Sequence, residues 1–315
     1  MRTWTHEFVI ASRERALGRS AELIAAVRSG QLVAVSRGVY RWSSARTRDA
    51  DRRADDDYLA SIRAAQLRSA DPLIIAGMSA AAVWRLPVVG AWPDRVRVAA
   101  ARDRGGRSNA HLSRSYIGFP PPVEQRDGLT ITTLARTVAE IARSEPMERS
   151  VPMIDAALAG RRAVDSPSRP RVTKDAVREQ LVQLESAPGI ARARGALGFA
   201  NGSSESPGES CSRVGMWRLG LPAPVLQREF RDARGLIGFT DFAWPHLGIV
   251  GEFDGLGKYL RNEFARGRSV AEIVMDEKAR EDRLRALGLR VVRWGWSDAL
   301  DLRSLERILR GAGVQ

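Results

Sequence analysis

Apolar residues in the first fifty positions switch from helical to alternating spacing. SAELIAAVRSGQLVAVSRGVYRW, residues 20–42, predicts a helix with Ser20 as N-cap and Gly30 just past its end. Two short strands, LVAV and VYRW, then flank the turn-forming triplet Ser36-Arg37-Gly38. From 50 to 160 the two periods alternate. ADDDYLASIRAAQLRS is helical by the spacing of Tyr58, Ile62 and Ala65, and MSAAAVWRL is a short helix that Pro87 should end. RVRVAA predicts a strand. In GLTITTLARTVAEIAR, Thr133 can cap a helix whose apolar positions include Val138, Ile141 and Ala142. RRAVDSPSRPR, residues 161–171, has the composition of a linker, and two helices near 174–186 and 190–200 follow it. This reading divides the chain into 1–48, 49–164, a helical linker region 165–202 and 203–315. The fold class expected is α/β (α+β).

The last segment holds the densest pattern. FTDFAW and IVGEFD, separated by Pro245-His246-Leu247-Gly248, predict a hairpin. If Trp244 pairs with Ile249, then Ala243 faces Val250, Asp241 faces Glu252, and Asp254 falls opposite Phe239 on the same face. A turn one residue longer would send Asp241 to the other face. Directly opposed carboxylates repel, so either one is protonated or a cation lies between them. Oxygen donors without His or Cys select Mg²⁺ or Mn²⁺, with Asp241, Glu252 and Asp254 as the candidate metal ligands. The plain alternative is a solvated face whose acids pair with neighbouring arginines.

Around the hairpin, SPGESCSRVGMWRLGLP predicts a helix capped at Ser206, with Pro207 at its first position. Glu209 is either the acid of a capping box or a group reaching towards the hairpin. Downstream, SVAEIVMDEKAREDRLRALG predicts a helix ended by Gly288, and LRVVRWGW a strand. Lys278, Arg280 and Arg283 on that helix are either a solvated face or contacts to a phosphate.

Charge narrows the partner class. Fifty Lys and Arg against 37 Asp and Glu give a net charge of +13, which suits a polyanion; an Arg-rich codon bias would produce the same surplus. Only Lys174, Lys258 and Lys278 are lysines. Lysine is a compact charge with mobile donors, so the two near the acidic hairpin, Lys258 and Lys278, are candidate catalytic cations. One cysteine and three histidines argue against a disulfide or a Cys/His metal site. No apolar run approaches a membrane span, and the N-terminus lacks a signal-peptide core, so a cytoplasmic location is expected.

A helix followed by a β-ribbon is how a winged helix ends, with the helix in the major groove and the ribbon on backbone phosphate. Arg28, Arg37 and Arg41 would then contact phosphate, unless the helix merely packs on the hairpin. SGQLVAVSRGVY, SAAAVWRLP and DGLTITTLARTVAEIA resemble the AbiE-type antitoxin family over about the first half of the chain. That resemblance implies a winged-helix unit followed by an α/β domain, and DNA binding. It also keeps open the alternative of a non-catalytic regulator with a protein partner encoded nearby.

SESPGES, GLPAPVLQREF, FTDFAWPHLGIVGEFDG and EKAREDRLRALGLRVVRW, over residues 200–297, resemble the PD-(D/E)XK nuclease superfamily. The similarity is to the branch related to very-short-patch repair endonucleases. It implies a mixed sheet flanked by helices and Mg²⁺-dependent phosphodiester cleavage, with Glu209 the helix acid, Asp241 the metal-bridging acid and Glu252 the second ligand. The superfamily's lysine lies two residues after the second acid, where this chain has Asp254. Either Lys258 or Lys278 supplies the cation, or Asp254 is a third metal ligand or the site is inactive; Arg280 and Arg283 are the candidates for nucleic-acid contact. Nothing in the sequence chooses DNA over RNA.

Overall fold

The computed structural model describes residues 7–47, 49, 52–101, 108–116, 118–158, 171–255 and 269–315. The chain is mixed α/β and separates into two compact units, Met1–Ser144 with Val172–Arg194, and Glu145–Arg171 with Gly195–Gln315. These borders depart from the divisions at 165 and 203 drawn from composition. The helix before the Pro/Ser-rich stretch joins the C-terminal unit, and the one after it joins the N-terminal unit.

The N-terminal unit begins β1 (Phe8–Ile10), α1 (Ala11–Ala16), α2 (Ser20–Arg28), β2 (Leu32–Ser36) and β3 (Val39–Trp42). The three strands form an antiparallel sheet in the order β1-β3-β2. Val9, Leu23, Ala26 and Leu32 make its core, which fixes the inward face of α2 at a helical spacing. Arg19, not Ser20, precedes α2, and no side chain caps the helix; Gly30 ends it at φ +72° as expected.

Next come α3 (Arg53–Arg68), β4 (Ile74–Ile75), α4 (Gly77–Val83), β5 (Val96–Ala99), β6 (Leu112–Ser115), β7 (Val123–Arg126), β8 (Leu129–Thr132) and α5 (Leu134–Ser144). The sheet order is β6-β5-β4-β8-β7, with parallel pairs β4/β8 and β5/β6. Every residue of α4 is buried. The helix stops before Arg85, whose φ of +60° turns the chain two residues ahead of Pro87. Arg136 and Glu140 pair at 2.7 Å inside this unit, and Glu140 also accepts the Gly77 N–H at 2.8 Å, so the buried charges are hydrogen-bonded.

After α6 (Met147–Leu158), α7 (Lys174–Gln183) and α8 (Ile190–Phe199), the C-terminal unit continues. It runs α9 (Pro207–Arg218), β9 (Val225–Asp232), β10 (Gly235–Trp244), β11 (Ile249–Phe253), α10 (Val270–Ala286), β12 (Arg290–Trp294), α11 (Trp296–Leu300) and α12 (Leu302–Ala312). The sheet order is β12-β11-β10-β9, antiparallel except for the parallel β11/β12 pair. The core gathers Met216, Phe242, Trp244, Ile249, Trp294, Leu305 and Leu309 from sheet and helices. Both tryptophan N–H groups are satisfied there, Trp294 by Ser212 Oγ and Trp244 by the Pro222 carbonyl, each at 2.8 Å. No helix among the described residues is long and apolar enough to cross a membrane.

Candidate active site

The predicted hairpin register holds: Trp244 pairs with Ile249, Ala243 with Val250 and Phe242 with Gly251. Pairing stops there, one step short of Asp241 and Glu252. The reason is chemical. Asp241 Oδ2 accepts the Phe253 N–H at 2.8 Å, so that donor goes to a side chain instead of to the β10 backbone. Asp254 lies past the end of β11, and its N–H bonds to the Trp294 carbonyl on β12 at 2.8 Å. It therefore follows the parallel partner rather than standing opposite Phe239, which pairs with Glu229 on β9.

Glu209 enters from the first turn of α9. Ser206 accepts the Glu209 N–H at 3.2 Å, as a helix cap should. The Glu209 carboxylate accepts from Glu205 N at 2.9 Å and turns towards the sheet. Gly208, beside it, is required by close approach, because a Cβ there would stand 2.0 Å from the Phe253 ring.

One residue that the sequence did not single out connects the acids. Gln227 Nε2 donates to Glu209 Oε2 at 3.3 Å and to Asp241 Oδ1 at 3.2 Å. Its φ of +49° is the left-handed region, costly for a non-glycine residue inside a strand. The β9–β10 ladder passes from Arg228/Thr240 to Leu226/Phe242 around it. The polar Gln in PVLQREF was the sole sequence signal, and nothing in that run specified its backbone.

The electrostatics divide the acids in two. Burial, then the charge of Asp241, push the Glu209 carboxyl up to about 8. Asp241 is raised to about 6, by burial first and also by Glu252, against the Phe253 N–H and Gln227 bonds that favour its charged form. Glu252 is instead met by cations: Arg280 Nη2 at 2.6 Å from Oε1 and Arg293 Nη2 at 3.1 Å from Oε2. A shared divalent ion is therefore not required for Asp241 and Glu252 to coexist, contrary to the expectation from their pairing. The Arg280 contact lacks hydrogen-bond alignment and leaves Glu252 Oε1 buried with no aligned donor.

Among the described residues, no three His, Cys, Asp or Glu side chains are grouped so as to hold a metal ion. The expected set Asp241, Glu252 and Asp254 is not brought together as such a group. Glu209 and Asp241 remain as two buried, adjacent oxygen-donating acids, a set that fits Mg²⁺, an ion commonly held by one or two carboxylates plus substrate phosphate.

Of the candidate cations, Lys258 lies outside the described residues and Lys278 is exposed on α10. Arg283 does not present a free charge to a ligand: it holds Asp232 through two bonds of 2.8 and 2.6 Å and also reaches the Leu236 and Gly235 carbonyls. In the N-terminal unit, Arg28 and Arg37 are exposed. Arg41 is a correction: only 2% exposed, it pairs with Asp56 and Asp57 of α3 and is not on the outer surface of the ribbon.

No family model matches the chain. It is similar to an uncharacterized protein of Mycobacterium tuberculosis, found in strain CDC 1551 and in a second strain of that organism. Each is 33% identical over 171 residues. The match covers 50% of this chain and 60% of the relative's length.

Proposed function

We propose that the C-terminal unit hydrolyses nucleic-acid phosphodiesters in the manner of PD-(D/E)XK nucleases, and that the N-terminal β1-to-β3 segment holds DNA as a winged helix. The observation that carries this reading is the junction of Glu209, from a helix start, and Asp241, from a strand, through one strained glutamine, with the charge of Glu252 on the neighbouring strand acting on Asp241. Glu209 and Asp241 are the residues that would hold Mg²⁺ or Mn²⁺. When bound, such an ion polarises a phosphoryl oxygen and makes a water more acidic. Without an ion, burial keeps Glu209 protonated near neutral pH, and an ion held by Glu209 and Asp241 would displace that proton. Arg280 and Arg293 offset the charge of Glu252, which lowers the negative charge an incoming phosphodiester would meet. The net charge of +13 and exposed Arg28 and Arg37 support a DNA partner. A chain acting on DNA with one cysteine fits the cytoplasm.

A second reading is favoured by the Glu252–Arg280 pair: a non-catalytic DNA-binding regulator or antitoxin whose nuclease-like unit is sealed by guanidinium groups. One experiment separates the two. Plasmid, single-stranded DNA and RNA are incubated with Mg²⁺ or Mn²⁺ and either wild type or Asp241→Ala. Cleavage that needs the metal and falls at least 100-fold in the variant supports the nuclease. Salt-sensitive DNA binding without any cleavage supports the regulator.

A further inference from the structure

The second position after Glu252, where the nuclease resemblance would place a lysine, holds Asp254, so among the described residues a cation at Glu252 has to come from another element. Arg280 arrives there from a different element. Its Nη2 is 2.6 Å from Glu252 Oε1 on β11 and donates to the Phe239 carbonyl on β10 at 2.6 Å. The guanidinium thus bridges β10 and β11 beyond the end of their paired register. The backbone makes room for it: Gly238, at φ +142° beside a break in the β9–β10 register, has no Cβ, and one would stand 3.1 Å from Arg280 Nε. Nη1 is held by Glu277 at 3.1 Å, which fixes the planar fork on α10. The second guanidinium at Glu252 has more counter-charge, since Arg293 also meets Glu277 and Glu281 at 2.5 and 3.1 Å.

We propose that Arg280 is a positioning residue that neutralises and aims Glu252, withdraws it from the divalent-ion ligands, and leaves that ion to Glu209 and Asp241. This rests on the nuclease reading for its choice of ion and substrate, and its placement of Arg280 can be judged without either cleavage or DNA. A guanidinium at 2.6 Å competes with any ion for the same carboxylate oxygen. Removing it frees Glu252 Oε1 as an additional ligand atom, while Arg293 stays on Oε2.

The test compares wild type, Arg280→Ala and Arg280→Lys, each first shown to melt cooperatively. Mn²⁺ titrated calorimetrically should bind Arg280→Ala at least tenfold more tightly than wild type, with Arg280→Lys in between. Equal or weaker binding by Arg280→Ala would overturn the assignment. In the cleavage assay, Arg280→Ala should lose about 100-fold in kcat with KM little changed, and millimolar guanidinium should restore part of that loss. Cleavage at the wild-type rate, or a loss that guanidinium does not touch, would also overturn it. Should wild type cleave nothing while Arg280→Ala still gains Mn²⁺ affinity, the nuclease reading falls and the placement of Arg280 at the acid site stands.

Discussion

At Glu209, burial and the neighbouring Asp241 both work against ionisation, so the folded carboxyl holds its proton to about pH 8 instead of releasing it near 4.5. A folded pKa above the unfolded one means that the folded state binds more protons between the two values. The stability this adds is complete below about pH 4.5 and is lost as pH rises towards 8. Urea unfolding in chelator-treated buffer should therefore show wild type weakening from pH 5 to 8. Glu209→Gln should flatten that fall by on the order of 2 kcal/mol. Parallel profiles for the two proteins would mean that Glu209 ionises normally. The acids themselves were legible because opposed carboxylates on an apolar hairpin are conspicuous. Gln227 was not, because its role depends on a positive φ that no residue pattern announces.

The ribbon formed by β2 and β3 shows how an element can be read correctly and one of its residues misplaced. VYRW alternates, so Arg41 shares a face with Val39, and that face is inward: Val39 is fully buried and Arg41 nearly so. The sequence already contained this parity; the counter-charge did not show itself, because Asp56 and Asp57 sit fifteen and sixteen residues away on α3. Arg41→Ala should destabilise the protein by on the order of 2–3 kcal/mol. That is below the full range for a broken buried pair, because the two aspartate side chains are still about a third exposed. Arg28→Ala and Arg37→Ala should leave the melting temperature unchanged, and each should reduce the salt slope of DNA binding by about one. A melting temperature insensitive to Arg41→Ala would place its guanidinium in water. An unchanged salt slope in the double variant of Arg28 and Arg37 would remove them from the phosphate contacts.

Across the whole chain, the order helix, hairpin, helix, strand in the C-terminal unit followed from periodicity, while the ownership of α6 did not. Composition marks a linker; it says nothing about which core a flanking helix completes. That is decided by side chains such as Asp155 of α6, which is 1% exposed and meets Arg213 of α9 at 2.9 Å. Asp155 also accepts from Ser210 Oγ at 2.7 Å and from Asn201 N at 2.6 Å. Arg213, 8% exposed, has in addition only the Phe199 carbonyl and Ser204 Oγ as hydrogen-bond acceptors among the described contacts. A fragment of residues 203–315 keeps the sheet and the acid site but discards Asp155 together with the α6 face that packs on α9, a loss of about 3–5 kcal/mol in ion pair and buried surface. Since whole domains are stable by about 5–15 kcal/mol, that fragment should unfold without a cooperative transition, whereas residues 145–315 should unfold cooperatively in urea. In the full chain, Asp155→Ala should reproduce the ion-pair part of the loss, because it removes the same charge while retaining the helix. If residues 203–315 unfolded cooperatively at the same urea midpoint as residues 145–315, α6 would be an attachment to the C-terminal unit and not part of its core.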